Sequence, residues 1–315
     1  TKVMSVLLIM EALDSGKISL TDKVPCSENA SKMGGSQIWL DVREELTVDE
    51  MLKAICVVSA NDCTVAMAEF LAGSTEAFVE KMNAKARELG MKDTCFKNCH
   101  GLDEDGHVTS SYDISLMSRE LLQKHPTITK YTTIWTDTLR DGKSELTNTN
   151  KLIRNYKGLK TGSTGLALYN LSASATKNDL SLIAVIMKAP STKVRFAEAQ
   201  KLLDYGFNNY SYIQFAKKGN RVKSVPVNKG VESLVEVNYE QDSGCLLPKG
   251  KERNVEEIVN IPEYVNSPIQ GGDKIGEVRY MLDGEQIGYT NLIAANTVKK
   301  INLSNMFETV FFSWF

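Results

Sequence analysis

Residues 47–73 read TVDEMLKAICVVSANDCTVAMAEFLAG, two apolar helical stretches separated by a short polar segment. Thr47, with Glu50 three residues later, forms a capping box and predicts that the first helix begins there. Apolar residues follow at helical spacing on both sides of residues 59–62, and Gly73 ends the second stretch. Because a polar break between two buried helices leaves side chains free to meet a ligand, this segment is a candidate functional site.

The rest of the first two thirds of the chain carries further helical patterns and one hairpin. Residues 3–13 are apolar nearly all round and are followed by Gly16, which predicts a buried central helix. Other helices are expected at residues 78–89, ended by Gly90, at 114–122, and at 195–205, ended by Gly206. Dense β-branched and small apolar residues at 166–175 and 182–187, with a turn at 177–179, predict a hairpin.

Beyond Tyr210 the pattern changes to short alternating runs separated by turn residues. Asp283-Gly284 is a strong two-residue hairpin signal within this part. The runs lie at residues 222–227, 234–237, 255–261 and 275–282. The expected fold class is therefore α/β (α+β), with a helical cluster and a sheet, followed by a small all-β domain. We place the first domain at residues 1–210 and the β domain at residues 211–300.

The last segment, residues 301–315, has an amphipathic helical pattern. Its apolar stripe is formed by Leu303, Met306, Phe307, Val310, Phe311 and Trp314. A helix of about 13 residues reaches about 20 Å, too short to cross a hydrocarbon layer of roughly 30 Å. We therefore expect an anchor that lies in the membrane interface, with docking on the β domain as the alternative.

Composition excludes several classes of protein. The 315 residues include 42% hydrophobic and 24% charged residues, as in ordinary globular proteins, and the net charge of -2 provides no basic field for nucleic acid. No apolar run reaches the roughly 18 residues of a spanning helix. No signal peptide precedes the first helix, so either the protein is cytosolic or its leader has been removed. Six cysteines are too few for a disulfide framework, and the spacing of Cys95, Cys99 and His100 matches no zinc pattern. No metal site is expected.

Three short elements occur in an informative order. Lys2 opens the central helix, Ser59-Ala60-Asn61 lies between two helices, and Lys160-Thr161-Gly162-Ser163 comes just before a strand. Each element is weak by itself, because triplets of this kind arise often by chance. Together, in this order and context, they resemble the parts of the active-site serine penicillin-recognising enzymes, whose motifs are S-x-x-K, S-D-N and K-T-G.

The chain closely resembles the low-molecular-weight penicillin-binding proteins of the D-alanyl-D-alanine carboxypeptidase type. The resemblance extends over nearly the whole chain and also rests on Lys23-Val24-Pro25, Gly34-Gly35-Ser36, Asn98-Cys99-His100-Gly101-Leu102, Ser110-Ser111-Tyr112-Asp113, Tyr169-Asn170-Leu171 and residues 201–207. It implies a penicillin-binding/β-lactamase-like transpeptidase domain with an antiparallel sheet and a helical cluster, a β stalk and a membrane anchor.

Acyl transfer needs a nucleophile, a base, oxyanion donors and a group that holds the substrate carboxylate. Lys2, buried and near Lys160, would have its pKa lowered by burial and like charge and could act as general base. The resemblance implies that Ser59 passes a proton to the leaving amine. It also implies that Asn61 orients Lys2 and binds the substrate amide.

The lysine-threonine-glycine strand would hold the other end of the substrate. Lys160 supplies positive charge, Thr161 a hydroxyl for a terminal carboxylate, and Gly162 close approach of the substrate backbone as an added strand. The resemblance implies that the backbone amide of Ser163 is an oxyanion donor and that Arg195 lies near the carboxylate pocket, where its planar fork suits a carboxylate. The alternative for Arg195 is an arginine on a helix surface.

Two departures from the family pattern affect these expectations. The nucleophilic serine should lie three positions before Lys2, two positions before Thr1, and is absent from the sequence, as are the family's preceding strands. We expect that the sequence begins after a break, a modified residue or an expression boundary, and that a chain truly starting at Thr1 would be inactive. Leu168 stands where the family has glycine or a small residue before Tyr169, which leaves substrate preference more open than reaction type.

The resemblance implies an extracytoplasmic serine D-alanyl-D-alanine carboxypeptidase on the outer face of the cytoplasmic membrane. Its partners would be peptidoglycan stem peptides ending in D-Ala-D-Ala, β-lactams, and the membrane surface through the C-terminal helix, with no metal, organic cofactor or nucleic acid. The alternatives are a D,D-endopeptidase, a β-lactamase or a catalytically silent peptidoglycan-binding protein. For a β-lactamase Glu145 is a candidate deacylating carboxylate, although residues 141–145 fit a turn better. A serine-histidine triad through His100 or His107 is not expected.

Overall fold

The computed structural model describes residues 1–154 and 158–302. The described residues form two compact units, one within residues 1–177 and 181–206 and the other within residues 178–180 and 207–302. The helices are α1 (Lys2–Asp14), α2 (Glu28–Ser31), α3 (Val48–Val57), α4 (Asn61–Ala72), α5 (Thr75–Glu88), α6 (Ser111–Lys124), α7 (Thr129–Thr132) and α8 (Thr192–Asn209). Short 3-10 helices cover Pro126–Ile128, Lys151–Arg154 and Glu252–Asn254.

The strands of the first unit are β1 (Lys23–Pro25), β2 (Glu45–Thr47), β3 (Thr136–Leu139), β4 (Ser144–Thr147), β5 (Lys160–Thr164), β6 (Leu168–Lys177) and β7 (Leu180–Ala189). Strands β5, β6 and β7 form a three-stranded sheet in that order, and β1–β2 and β3–β4 are two-stranded pairs. Strand β5 pairs antiparallel with β6, with Gly162 opposite Asn170. Among the described strands, β5 is therefore an outer strand of the sheet.

Helix α1 is the centre of the first core. Met4, Leu7 and Ile9 are completely buried, and the helix packs against α3, α4, α5 and α6. A helix that is apolar on all sides gains free energy only when neighbours cover all of it. The same packing carries Lys2, in the first turn, into the interior of the unit.

The polar break between α3 and α4 is shorter than predicted, since it covers residues 58–60 and Asn61 and Asp62 lie in the first turn of α4. Thr47 caps α3, its hydroxyl accepting a hydrogen bond from the Glu50 amide at 3.2 Å while the Glu50 carboxylate accepts from the Thr47 amide at 2.8 Å. Helix α3 ends at Val57, and α4 runs from Asn61 to Ala72 and is followed by the C-cap Gly73, whose φ of 81° is in the left-handed region. Both ends of the break are thus fixed by backbone chemistry.

The second unit contains β8 (Tyr210–Ala216), β9 (Arg221–Asn228), β10 (Leu234–Tyr239), β11 (Ser243–Pro248), β12 (Glu256–Asn260), β13 (Val265–Asn266), β14 (Lys274–Leu282) and β15 (Glu285–Ala294). Six of these strands form one sheet in the order β12-β14-β15-β10-β9-β13, and β8 pairs with β11. Its core is made of alternating inward residues such as Val225, Val235, Val237, Val278 and Leu292, all completely buried. The hairpin predicted at Asp283-Gly284 joins β14 to β15.

Two local predictions are wrong. The helix expected to end at Gly206 continues to Asn209. Gly206 does not end the helix but lets α8 pack closely against β7, because a Cβ on this residue would lie 2.4 Å from Leu182 Cδ1. Residues 160–163 do not precede a strand but form most of β5.

The mixed α/β class with a following β domain is confirmed. The helix predicted at residues 301–315 lies outside the described residues from 303 onward, and no helix within the described ranges is long and apolar enough to cross a membrane.

Candidate active site

Lys2 is held at the start of α1 by two short hydrogen bonds. Its side chain is buried, with 8% exposure, and its Nζ donates to Asn61 Oδ1 at 2.5 Å and to the carbonyl oxygen of His100 at 2.7 Å. The three residues are far apart in sequence but meet because α1, α4 and the loop at residues 98–104 converge. A lysine in this position has its nitrogen fixed in space with its charge shielded from water.

Asn61 is itself held through both its backbone and its side chain. The backbone amide of Asn61 donates to the Ser36 carbonyl at 2.7 Å, and its Nδ2 donates to the Gly34 carbonyl at 2.7 Å. Because Nδ2 is committed as a donor, Oδ1 must point at Lys2 Nζ. Gly35 has φ 77°, and a Cβ there would lie 2.8 Å from Asn61 Nδ2, so this glycine leaves room for the amide.

Asp62 holds the loop that approaches Asn61. Its carboxylate is completely buried and accepts hydrogen bonds from the backbone amides of Ile38 at 3.0 Å and Leu40 at 3.1 Å. Arg140 donates to the carbonyl oxygen of Ile38 at 2.9 Å. The loop that supplies acceptors to Asn61 is therefore fixed on both its amide and its carbonyl sides.

Ser59 lies in the break between α3 and α4, as predicted, with an unusual backbone conformation. Its φ is 66°, which is uncommon for a residue with a side chain, and it is partly buried. Backbone conformations of this kind cost about 1–3 kcal/mol and are found where the surrounding structure imposes them, often at functional sites. Within the described residues no hydrogen bond joins the Ser59 hydroxyl to Lys2 or Lys160.

Strand β5 begins with a buried lysine and continues into exposed residues. Lys160 is 9% exposed, and its Nζ donates to the Thr161 carbonyl at 2.9 Å. The Thr161 hydroxyl lies 2.5 Å from the hydroxyl of Thr149. Gly162 and Ser163 are exposed, and no atom lies within 4 Å of where a Cβ on Gly162 would be. An extended backbone can therefore come close to the strand at this point.

The two lysines differ from ordinary lysines in their pKa values. Burial first, and then the positive charge of Lys160, lowers the pKa of Lys2 from 10.5 to about 7. Burial, followed by the charge of Arg195, lowers the pKa of Lys160 from 10.5 to about 8. Near neutral pH a large fraction of Lys2 is the neutral amine, which can accept a proton. The positive charge of Lys160 in β5 is thus close enough to Lys2 to affect its pKa.

Arg195 contacts the strand pair instead of lying on a helix surface. The side chain is 7% exposed, and its Nη1 donates to the carbonyl oxygens of Gly162 at 3.2 Å and Asn170 at 3.3 Å. The guanidinium carbon lies 5.6 Å from the ring centroid of Tyr169 and 4.8 Å from that of Phe196. These contacts hold β5 against β6, and burial lowers the pKa of Arg195. Its Nε is buried and has no hydrogen-bond partner among the described residues.

The two histidines near Lys2 are structural. The ring Nδ1 of His100 accepts from the Leu102 amide at 3.3 Å, and that of His107 accepts from the Lys97 amide at 3.0 Å. Burial is the largest effect that lowers both histidine pKa values to about 4. Both rings are therefore neutral at pH 7 with the proton on Nε2, and the backbone carbonyl of His100, not its imidazole, binds Lys2.

Several groups in the site have no sequence signal. The His100 carbonyl and the Thr149 hydroxyl are examples, because an acceptor that belongs to the backbone or to an isolated threonine is not visible in any residue pattern.

Glu145 lies exposed in β4, after the turn at residues 140–143, and has no contact with the lysines among the described residues. The six cysteines are free thiols, and the described residues contain no cluster of His, Cys, Asp and Glu that could bind a metal.

Known proteins similar to this chain share both units. A family model described as D-alanyl-D-alanine carboxypeptidase matches residues 1–191, and one described as penicillin-binding protein 5, C-terminal domain, matches residues 210–300. D-alanyl-D-alanine carboxypeptidase DacF of Bacillus subtilis is 44% identical over 321 residues, covering 100% of this chain and 82% of the relative. The corresponding DacA of Haemophilus influenzae is 33% identical over 307 residues, covering 95% of this chain and 78% of the relative.

Solved structures show the same similarity in three dimensions. Penicillin binding protein 5 from Haemophilus influenzae superimposes with a TM-score of 0.74 at 33% identity, covering 95% of this chain and 89% of that one. Penicillin-binding protein D2 from Listeria monocytogenes, in the ampicillin bound form, gives a TM-score of 0.59 at 29% identity, covering 65% and 85% of the two chains.

Proposed function

The chain belongs to the D-alanyl-D-alanine carboxypeptidase family of serine peptidases, and from this premise we propose that it removes the terminal D-alanine of peptidoglycan stem peptides through a serine acyl-enzyme. The observation that carries the proposal is the environment of Lys2, whose Nζ is fixed between Asn61 Oδ1 and the His100 carbonyl and whose pKa is about 7. A buried lysine that is partly neutral at neutral pH is suited to accept a proton from a nucleophile.

The nucleophile in this proposal is a serine three positions before Lys2, in the natural protein. A residue three positions earlier in a helix lies on the same face, one turn away, so its hydroxyl can reach Lys2 Nζ. The serine oxygen attacks the carbonyl carbon of the penultimate D-alanine while Lys2 takes the hydroxyl proton. Collapse of the tetrahedral intermediate breaks the peptide bond, and the leaving D-alanine amine receives a proton through Ser59. Water then hydrolyses the ester and regenerates the serine.

The strand β5 would orient the substrate in this reaction. Thr161 and the positive charge of Lys160 would bind the terminal carboxylate, the Ser163 amide would donate to the oxyanion, and Asn61 would bind the substrate amide. Exposed Gly162 and Ser163 at an outer strand support this placement. Arg195, which holds β5 through the Gly162 carbonyl, would fix the strand at the carboxylate end of the site.

The test is labelling of the natural full-length protein with a fluorescent penicillin, with peptide mapping of the adduct and assay of D-alanine release from a blocked peptide ending in D-Ala-D-Ala. We expect an adduct on the serine three positions before Lys2 and release of D-alanine. Lys2→Met should remove both, whereas Lys17→Met, an exposed lysine near the end of the same helix, should leave both unchanged. A folded protein that forms no adduct and releases no D-alanine would instead be a silent peptidoglycan-binding protein.

The family's action on peptidoglycan supports a location outside the cytoplasm, and we extend the proposal to the outer face of the cytoplasmic membrane. In this proposal residues 1–210 form the D,D-peptidase domain, residues 211–300 form a β stalk, and the amphipathic segment at residues 301–315 attaches the protein to the membrane. Truncation before Leu303 should release the protein from membranes. If the truncated protein stays with the membrane fraction in high salt, this segment is not the anchor.

A further inference from the structure

Three exposed lysines lie together at one end of the second unit, where the described chain leaves it. Lys299 and Lys300 are among the last described residues, and Lys229 is in the turn between β9 and β10. The two segments form a short antiparallel pair with Gly230 opposite Lys300, and the Val231 amide donates to the Lys299 carbonyl at 2.9 Å. We call Lys229, Lys299 and Lys300 the lysine surface.

Hydrogen bonds fix the backbone of the turn that carries Lys229. This residue has φ 57°, and its carbonyl oxygen accepts from the Ile301 amide at 2.8 Å and from the Ser267 hydroxyl at 2.5 Å. A Cβ on Gly230 would lie 2.8 Å from Val298 Cγ1, so the glycine lets the turn approach the last described segment closely. The fold therefore holds Lys229 beside two lysines that come much later in the chain.

The lysine surface keeps its positive charge. The ion pairs of the second unit, within the described residues, are formed by other side chains and use none of the three lysines. Glu232 is the acidic residue of the same turn, so three positive charges stand against one negative charge. Val231 and Leu234, which are 49% and 51% exposed, add two aliphatic side chains to this end of the unit. Basic and aliphatic side chains together are typical of surfaces that contact the headgroup layer of a membrane.

The amphipathic segment that follows lacks basic residues. Residues 303–315 contain no lysine or arginine and one acidic residue, Glu308. Helices that lie in the membrane interface usually carry lysines or arginines on the polar face, where these residues attract anionic lipids. The segment itself supplies apolar area but no positive charge, so an attraction to anionic lipids has to come from residues outside it.

We propose that the lysine surface binds the headgroups of anionic phospholipids and so adds an electrostatic contact of the second unit to the attachment of the protein. The inference rests on the proposed attachment through residues 301–315. A lysine near an anionic bilayer contributes about fivefold to the affinity, so three lysines contribute about 100-fold at low salt. Salt screens such charges, and the contribution disappears at high ionic strength.

The experiment measures binding of the natural full-length protein to two kinds of vesicle, phosphatidylcholine alone and an equal mixture of phosphatidylglycerol and phosphatidylcholine. At low salt the parent should bind the anionic vesicles about 100-fold more tightly. The triple variant Lys229→Gln, Lys299→Gln and Lys300→Gln should lose this preference and bind neutral vesicles as the parent does. High salt should lower the affinity of the parent for anionic vesicles to that of the variant.

The control is the triple variant Lys217→Gln, Lys218→Gln and Lys223→Gln. It removes three exposed lysines that lie in β9 or before it, so the net charge changes equally but the lysine surface is intact. The control should keep the preference for anionic vesicles, and far-UV circular dichroism shows that each variant is folded. An equal loss in both triple variants, or no loss in the first, would refute the role of the lysine surface.

Two further outcomes separate this inference from the proposed attachment. If truncation before Leu303 leaves binding to neutral vesicles unchanged, the attachment through the amphipathic segment fails, while the salt-sensitive binding to anionic vesicles still tests the lysine surface. If the Lys229, Lys299 and Lys300 variant keeps the parent affinity for vesicles but no longer sediments with isolated cell walls, the lysines bind the wall and the inference is overturned.

Discussion

Asn61→Asp tests the role of Lys2 by placing a carboxylate where an amide oxygen now lies. The substitution keeps the size of the side chain, and the new oxygen would stand 2.5 Å from Lys2 Nζ. A negative charge at that distance stabilises the ammonium form and raises the pKa of Lys2 from about 7.

The size of the effect follows from the shifts that opposite charges cause in proteins. Two opposite unit charges about 3 Å apart attract by about 5 kcal/mol at an effective dielectric constant of about 20, which is an upper bound here. A pKa beside an opposite charge typically shifts by about 1–3 units. A shift of about 2 units, equivalent to about 3 kcal/mol, raises the pKa of Lys2 to about 9. At pH 7 the neutral fraction of Lys2 then falls from about one half to about one hundredth.

The assay is the second-order rate constant of acylation by a fluorescent penicillin, measured from pH 5.5 to 10 on the natural full-length protein. The parent rate should rise with pH through about 7, the pKa of Lys2, and then level off. In Asn61→Asp the rise should move to about pH 9, so the rate at pH 7 is about 50-fold lower but recovers at high pH.

A loss of substrate binding would have a different signature. In the proposed mechanism Asn61 also binds the substrate amide, and loss of that contact would lower the rate equally at every pH. A uniform decrease with an unchanged midpoint would therefore refute the assignment of Lys2 as the titrating base. Asn61→Ala, which removes the amide without adding charge, is the matched variant and should show only a small change of midpoint.

Three further substitutions test other parts of the site. Lys160→Met removes a buried ammonium whose pKa of about 8 lies below the 10.5 of the unfolded chain, so the variant should be about 3 kcal/mol more stable in urea below pH 8, with the difference lost as pH rises to 10.5. Asp62→Ala leaves two buried backbone amides without an acceptor and should lower the free energy of unfolding by about 2–5 kcal/mol, with Asp62→Asn less harmful. Gly35→Ala should lower the acylation rate about tenfold, since the new Cβ would lie 2.8 Å from Asn61 Nδ2 on a backbone with φ 77°. Gly16→Ala, with φ 70° and no atom within 4 Å, carries the same backbone strain and should not change acylation.

Much of the first unit could be predicted because its signals are local. The capping box at Thr47 and the glycine after α4 depend on neighbouring residues only, and both are present in the structure; the break is also present but covers residues 58–60, because Asn61 and Asp62 already lie in the first turn of α4. The helix expected to end at Gly206 shows the limit of this logic. Glycine is a local signal for a helix end, but here a side chain of β7 decides its role through contact.

The sequence alone therefore predicted the main helices and the hairpins, together with the order of the three motifs and the residue types available for acyl transfer. Which of these groups meet depends on the tertiary structure. Lys2 binds the carbonyl of a residue 98 positions later, and Arg195 binds carbonyls of β5 and β6 that lie 33 and 25 positions earlier. The low pKa of Lys2 has the same origin, because burial and the charge of Lys160 act through space. Periodicity and motif spacing describe neighbours along the chain, whereas desolvation and hydrogen-bond geometry depend on distances that exist only after the chain has folded.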